Sequence, residues 1–101
     1  MLEGDLMKLL FIICETSVED RITELLSKCG APGYTRFTGG TGFGHSGLRE
    51  GTPVWPGLNS LIMSAMPQEM VPTVLSGIED MKSHRAGKLA VRAFVVPMEE
   101  Y

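Results

Sequence analysis

Short apolar runs alternate with amphipathic stretches along this chain. Residues 8–14 are apolar at both odd and even positions, which predicts a strand that is buried on both faces. Three further strands are predicted at residues 34–38, 58–66 and 89–96. We expect Pro97 to end the last of them, because proline has no N–H to donate to a sheet. Four strand-length runs therefore supply a predicted sheet.

Two other segments carry apolar residues at helical spacing. Ser17 is expected to cap the first helix with its hydroxyl, and Asp20 stands three residues later as its acidic partner. The second helix is expected to begin near Pro67, with Pro72 in or close to its first turn. The two apolar stripes are Val18, Ile22, Leu25, Leu26 and Cys29, and Met70, Val74, Leu75, Ile78 and Met81. The order β-α-β-β-α-β predicts an α+β, ferredoxin-like fold: an antiparallel four-stranded sheet with two helices on one face.

The first predicted strand is apolar on both of its sides. Leu9, Phe11 and Ile13 would lie on one face of the sheet, and the residues between them on the other. Two helices cover only one face, so the second apolar face is expected to pack against another subunit. The sequence therefore predicts an obligate oligomer, which a charge at Phe11 or Ile13 would disrupt.

A polar stretch at residues 39–57, here called the glycine-rich segment, separates the second and third predicted strands. It holds seven of the twelve glycines in the chain. Connections in small domains usually run about 4–6 residues, and longer ones are often functional. Glycines cost entropy to order, so we expect the segment to be mobile until something binds it. The function is therefore expected to reside there.

Length and charge exclude several classes of protein. The 101 residues suffice for one domain, predicted at residues 7–101 after a disordered leader at 1–6. A net charge of −3 argues against nucleic-acid binding, and no apolar run approaches the roughly 20 residues of a membrane span. Glu3 and Asp5 stand where a signal peptide would need cations. We therefore expect a cytoplasmic protein with no nucleic-acid partner and no membrane insertion.

The sequence offers little catalytic chemistry. It contains no Ser-His-Asp order, no paired catalytic carboxylates and no zinc motif, so no enzyme activity is expected. Backbone amides of residues 41–44 could cradle an anion, and the basic residues Arg49, Arg85, Lys88 and Arg92 could neutralise a phosphate, although exposed cations are more often simply solvated. A single loop histidine such as His45 is more often solvated than a ligand. A tryptophan between prolines, such as Trp55, more often anchors a loop than stacks on a base.

Several short motifs, taken in order, resemble the nitrogen-regulatory PII superfamily over residues 8–100. Gly42-Phe43-Gly44 matches the base of that family's T-loop, and Arg49-Glu50-Gly51 lies near its arginine-glycine. Met66-Pro67-Gln68-Glu69 resembles the start of the second helix, and Arg85-Ala86-Gly87-Lys88 the opening of the B-loop. Residues 94–100 are similar to the closing strand and its turn. The order of these motifs, rather than any one of them, carries the resemblance.

The resemblance implies a cytoplasmic homotrimer that binds an adenine nucleotide in clefts between subunits. The T-loop would then dock onto a target protein such as a transporter, an enzyme or a regulator. No obligatory cofactor is implied. The candidate ligand-binding residues are Thr35, Gly42, Phe43, Gly44, Arg85, Gly87, Lys88 and Arg92, and the candidate partner-binding residues are His45, Arg49, Glu50 and Trp55.

The chain also departs from the family pattern. The glycine-rich segment has no tyrosine for uridylylation, and Thr41 replaces the expected lysine before Gly-Phe-Gly. Residues 90–92 stand in place of the Gly-Asp-Gly-Lys half of the B-loop. These departures weaken the case for standard ATP and 2-oxoglutarate binding, and leave another nucleotide, a smaller anion or a metal as candidate effectors.

Two other function classes stay open. A metal-binding trimer like the CutA family would share this fold. Its candidate ligands would be His45, His84, Cys14, Cys29 and several of the methionines, which stand on separate predicted elements and are not in metal-type pairs. An enzyme that uses the glycines for phosphate chemistry is the third class, and the chain shows neither a base nor a metal carboxylate for it.

Overall fold

Six strands are present in the computed structural model, which describes residues 6–40, 42–44, 47–49, 59–83 and 89–101. They are β1 (Met7–Glu15), β2 (Thr35–Gly40), β3 (Gly42–Gly44), β4 (Gly47–Arg49), β5 (Asn59–Pro67) and β6 (Val91–Met98). The main sheet is antiparallel, with the strand order β2-β5-β1-β6. Strands β3 and β4 pair in a separate small sheet.

Two helices connect the strands of the main sheet. They are α1 (Glu19–Lys28) and α2 (Val71–Ser83), and each follows a 3-10 turn, at Thr16–Val18 and Gln68–Met70. Apart from the small β3–β4 sheet, the order is β-α-β-β-α-β, and the predicted ferredoxin-like fold is confirmed. Pro72 is the second residue of α2, where its missing N–H costs no helical hydrogen bond.

The core lies between the two helices and one face of the main sheet. On β1 the buried residues are Leu10, Ile12 and Cys14, as the predicted alternation requires. The full buried set is Leu10, Ile12, Cys14, Val18, Ile22, Leu26, Ile62, Met66, Val71, Val74, Ile78, Leu89 and Val91. Both predicted helical stripes contribute to it or pack against it.

The opposite face of the main sheet, here called the helix-free face, is also apolar. Strand register places Phe11 between Met63 on β5 and Phe94 on β6, and Ile13 between Leu61 and Arg92. The large apolar residues of this face are Leu9, Phe11, Ile13, Phe37, Leu61, Met63, Phe94 and Val96. Four of these side chains, Ile13, Phe37, Phe94 and Val96, are exposed. The predicted second apolar face therefore exists.

Two local predictions were wrong. Pro97 does not end the last strand but lies inside β6, opposite Lys8 of β1. Strand β6 is at the edge of the sheet, where a residue without an N–H is tolerated. Ser17 does not cap α1, because the chain leaves β1 through a 3-10 turn that contains Ser17. Val18 occupies the cap position and no side chain bonds there.

The glycine-rich segment also differs from the predicted open loop. Strand β2 continues to Gly40, and Gly42–Gly44 pairs with Gly47–Arg49, so part of the segment is strand. The predicted leader lies outside the described residues except for Leu6. The Leu6 carbonyl accepts a hydrogen bond from the Gln68 amide at 3.1 Å, so this residue is joined to the fold.

Candidate functional site

Two predicted ligand residues lie at opposite edges of the helix-free face. Thr35 is on β2 and pairs with Met63, whereas Arg92 is on β6 and pairs with Ile13. Strands β5 and β1 run between them. Neighbouring strands are about 4.8 Å apart, so three intervals separate the two residues by about 14 Å across the sheet. One chain therefore does not bring Thr35 and Arg92 together.

The predicted Gly-Phe-Gly element forms β3 and begins two residues after β2 ends. Gly42 is opposite Arg49 on β4, and Phe43 is opposite Leu48. Directly opposed residues of antiparallel strands have Cα atoms about 4.5–5.5 Å apart. The structure therefore places a candidate ligand residue, Gly42, beside a candidate partner residue, Arg49.

Gly39 determines how the chain leaves β2. Its φ is 89°, in the left-handed region that residues with a Cβ rarely adopt. The pairing between β2 and β5 shifts register between Phe37 and Gly40, and Gly40 then pairs with Asn59. This irregularity lies shortly before β3 begins at Gly42. Glycine is therefore required at the start of the segment for backbone geometry.

The Arg92 side chain is positioned by an aromatic ring. Its guanidinium carbon lies 5.5 Å from the centre of the Phe94 ring, within the range of a cation–π interaction. The two residues share the helix-free face of β6 and are exposed in the single chain. An anionic ligand at this edge would thus meet a positive charge whose orientation is already restricted.

A polar network that the sequence reasoning missed joins α1 to β2. The Thr38 hydroxyl donates to both Glu19 carboxylate oxygens at 3.0 Å. Arg36 Nη1 donates to Asp20 Oδ1 at 2.8 Å and lies 3.7 Å from Glu19 Oε1. The hydrogen bond to Asp20 is the main reason that the pKa of Arg36 is raised. The sequence feature that could have indicated this network is the pair of polar residues Arg36 and Thr38. They lie on the face of β2 that meets the acidic start of α1.

The burial of Glu19 decides which of these contacts matters. The Glu19 side chain is 11% exposed, whereas the Asp20 side chain is 82% exposed. Exposed ion pairs contribute little, because water and salt screen them. A buried carboxylate that loses a hydrogen-bond donor pays the full cost of desolvation. The contact between Thr38 and Glu19 is therefore the stronger link.

Within the described residues, the two cysteines are not grouped with other side chains that could hold a metal. Burial raises the pKa of the Cys14 thiol to about 12, and the charges of Glu19 and Glu15 add to the shift. Cys14 is therefore a protonated thiol at neutral pH, and a metal that bound there would have to displace this proton. Cys29 is a free, half-buried thiol. In residues 6–40, 42–44, 47–49, 59–83 and 89–101, no three His, Cys, Asp or Glu side chains are grouped to hold a metal.

Several predicted site residues lie outside the described residues: His45, Glu50, Trp55, His84, Arg85, Gly87 and Lys88. Their roles stay predictions. Phe43 and Arg49 are placed as strand residues only. Over the part of the chain that the structure describes, no helix has the length and hydrophobicity to span a membrane.

The family model for nitrogen regulatory protein P-II matches residues 7–101, so the chain belongs to this family. No curated protein matches the chain.

Among solved structures, the chain is similar to CPII, a nitrogen regulatory PII-like protein from Thiomonas intermedia K12, bound to ADP, AMP and bicarbonate. The two are 28% identical with a TM-score of 0.69, over 92% of this chain and 90% of that chain. The apo form of CPII is 26% identical with a TM-score of 0.61, over 93% and 95%. A DUF3240 family protein from Shewanella baltica OS155 shares the fold at 18% identity and a TM-score of 0.70, over 94% and 92%.

Proposed function

We propose that this chain is a PII-type regulator that binds an adenine nucleotide between the subunits of a homotrimer. The bound nucleotide sets the conformation of the glycine-rich segment, which docks onto a target protein in the cytoplasm. The protein acts as a regulator and not as an enzyme. The observation that carries the proposal is the position of Thr35 and Arg92 at opposite edges of an exposed apolar face.

The helix-free face supports the assembly. Phe37, Phe94 and Val96 are large apolar side chains on one sheet face, and all three are exposed in the single chain. Contiguous apolar surface of this kind is unusual on a monomer and marks an interface. Packing three copies around this face buries it. It also allows the β2 edge of one subunit to approach the β6 edge of the next, which completes the pair of Thr35 and Arg92.

The chemistry of the two edges supports an anionic ligand. Arg92 supplies a positive charge, and the glycines of β3 allow a ligand to approach backbone amides closely. CPII is bound to ADP and AMP in its solved structure. The chain has Thr41 where a phosphate-binding lysine was expected, which removes one positive charge. We therefore favour ADP or AMP over ATP.

The small sheet supplies the link from ligand to partner. Gly42 and Arg49 are directly opposed, so a ligand that moves the backbone of β3 also moves β4. The outer residues of the segment, His45, Glu50 and Trp55, are the proposed partner contacts together with Arg49. Transfer of the signal thus needs only a small shift of paired strands.

The test combines the oligomeric state with ligand binding. Light scattering of the purified protein is expected to give the mass of a trimer. Calorimetry is expected to show binding of ADP or AMP, which Arg92→Gln weakens by about 10-fold or more, as for hydrogen bonds to charged groups. Arg21→Gln is the matched control, because Arg21 is an exposed arginine on α1 and away from the helix-free face.

Two outcomes would contradict the proposal. A monomer with unchanged nucleotide binding would remove the role of the helix-free face. Stabilisation by zinc or copper, with no response to ADP, AMP or ATP, would favour the metal-binding alternative. Thermal unfolding reads both arms, because a ligand above its dissociation constant raises the melting temperature.

A further inference from the structure

We propose that a polar clamp at the start of α1 holds both ends of the glycine-rich segment and thereby positions Gly42–Gly44 for the ligand. This stem clamp consists of Thr16, Glu19 and Asp20 on one side and Arg36, Thr38 and Ser60 on the other. These six are positioning residues, since they act through the backbone of the segment. The ligand part of the inference rests on the proposed function.

The first end of the segment is held by Glu19. Thr38 is the residue before Gly39, and its hydroxyl is bonded to the mostly buried Glu19 carboxylate at 3.0 Å. Arg36, two residues earlier on β2, reaches Asp20 and approaches Glu19. The part of β2 that precedes Gly39 is thus attached to α1, immediately before the positive φ of Gly39. Loss of this contact would free the backbone immediately before Gly39.

The second end of the segment is held by the 3-10 turn. The Ser60 hydroxyl donates to Thr16 Oγ1 at 3.1 Å, and Ser60 is the second residue of β5. Its neighbour Asn59 pairs with Gly40 across the strands. The pairing of Gly40 with Asn59 therefore brings the two ends of the segment together. On either side of this pair, Thr38 and Ser60 are bonded to residues 16–20.

One short stretch of chain thus determines where the segment leaves and re-enters the sheet. Strand β3 begins two residues beyond Gly40, so a small rotation at this point displaces Gly42 and its backbone amides. Binding groups must be held within a fraction of an ångström to contribute their full affinity. The stem clamp therefore contributes to ligand affinity without touching the ligand.

Strand β5 supplies a matched pair of variants for the test. Ser60 and Ser64 are both 1% exposed, lie on the same face and each donate one hydrogen bond. Ser64 donates to the Gly33 carbonyl at 2.7 Å, at the far end of β2 from the segment. Ser60→Ala and Ser64→Ala should lower global stability to a similar extent. Only Ser60→Ala should loosen the segment.

Amide hydrogen exchange of the ligand-free protein measures the positioning directly. Ser60→Ala and Thr38→Val are expected to speed exchange at Gly40 and Asn59 by about five- to tenfold, the factor of one lost hydrogen bond. Both variants should weaken ADP or AMP binding by a similar factor. Ser64→Ala should change neither quantity, and Thr38→Ser, which keeps the hydroxyl, should restore both.

The inference is overturned if Ser64→Ala accelerates exchange at Gly40 as much as Ser60→Ala does. It is equally overturned if Thr38→Val stays within about twofold of the unmodified protein, since the lost bond is expected to exceed that factor. Thr38 is exposed, so its variants are expected to fold. If the unmodified protein binds no adenine nucleotide, the proposed function fails, and the exchange comparison still decides whether the stem clamp positions the segment.

Discussion

Truncation of Phe94 measures how much the helix-free face contributes to assembly. Phe94 exposes 45% of its surface in the single chain. An aromatic side chain presents about 200 Å², so about 90 Å² of Phe94 is available for burial by a neighbouring subunit. At about 25 cal/mol per Å², this area is worth about 2 kcal/mol per subunit and about 6 kcal/mol per trimer. Phe94→Ala should therefore raise the trimer dissociation constant by roughly 10⁴-fold.

The same change should also lower the folding stability of the single chain. The rest of the Phe94 surface, about 110 Å², is already covered within the chain, where Phe94 pairs across strands with Phe11, and at about 25 cal/mol per Å² this area is worth about 3 kcal/mol. Sedimentation or light scattering across a dilution series measures the dissociation constant, and circular dichroism checks that the variant is folded.

Tyr34→Ala is the matched control for Phe94→Ala. Tyr34 has almost the same exposure, 44%, but it stands one position before β2, where strand alternation turns it away from the helix-free face. An intact trimer for Phe94→Ala at the dilution that dissociates Tyr34→Ala would refute the reasoning. So would equal dissociation of the two.

Three further predictions concern the monomer. Gly77→Ala should lower the free energy of unfolding by up to about 2 kcal/mol, measured by denaturant unfolding. A Cβ there would lie 2.5 Å from Leu25 Cδ1, and this overpacking outweighs the gain of about 1 kcal/mol in helix propensity. In a Leu25→Ala background, the same change should stabilise the fold. Gly39→Ala should cost about 1–2 kcal/mol for its φ of 89°, whereas Gly33→Ala, with open space around it, should not, and equal costs would contradict the strain argument. Burial raises the pKa of the Cys14 thiol from its ordinary value of 9.0 to about 12 in the folded chain. The stability that depends on this shift is therefore complete below pH 9 and is lost as pH rises toward 12, by at most about 1.4 kcal/mol per pH unit. Cys14→Ala should remove this slope.

Much of the fold could be predicted because its signals are local. The alternation through Leu10, Ile12 and Cys14 and the helical spacing of the two stripes are properties of consecutive residues, and the structure confirms both. The errors arose where a residue depends on its neighbours in space. Pro97 is tolerated only because β6 lies at the edge of the sheet, and the role of Ser17 changed because the chain turns tightly after β1.

The candidate site shows the same division. Motif order was sufficient to indicate the PII family, which the family model confirms. Glycine content also suggested Gly42–Gly44 as a ligand-binding element, and that role stays a prediction. Sequence order could not show that Thr35 and Arg92 stand at opposite edges, because strand order depends on non-local pairing. It also could not show that Glu19 meets Thr38, since 19 residues separate them along the chain.

The sequence by itself determined the order of the elements, the face of each element that enters the core, and the existence of a second apolar face. Period-two and period-3.6 patterns carry this information within a few residues of chain. Only the tertiary structure decided which polar residues meet. Register and strand order place Thr38, Ser60 and the start of α1 together, and they leave Arg92 at an open edge. These contacts depend on how the whole chain packs, and no local pattern encodes them.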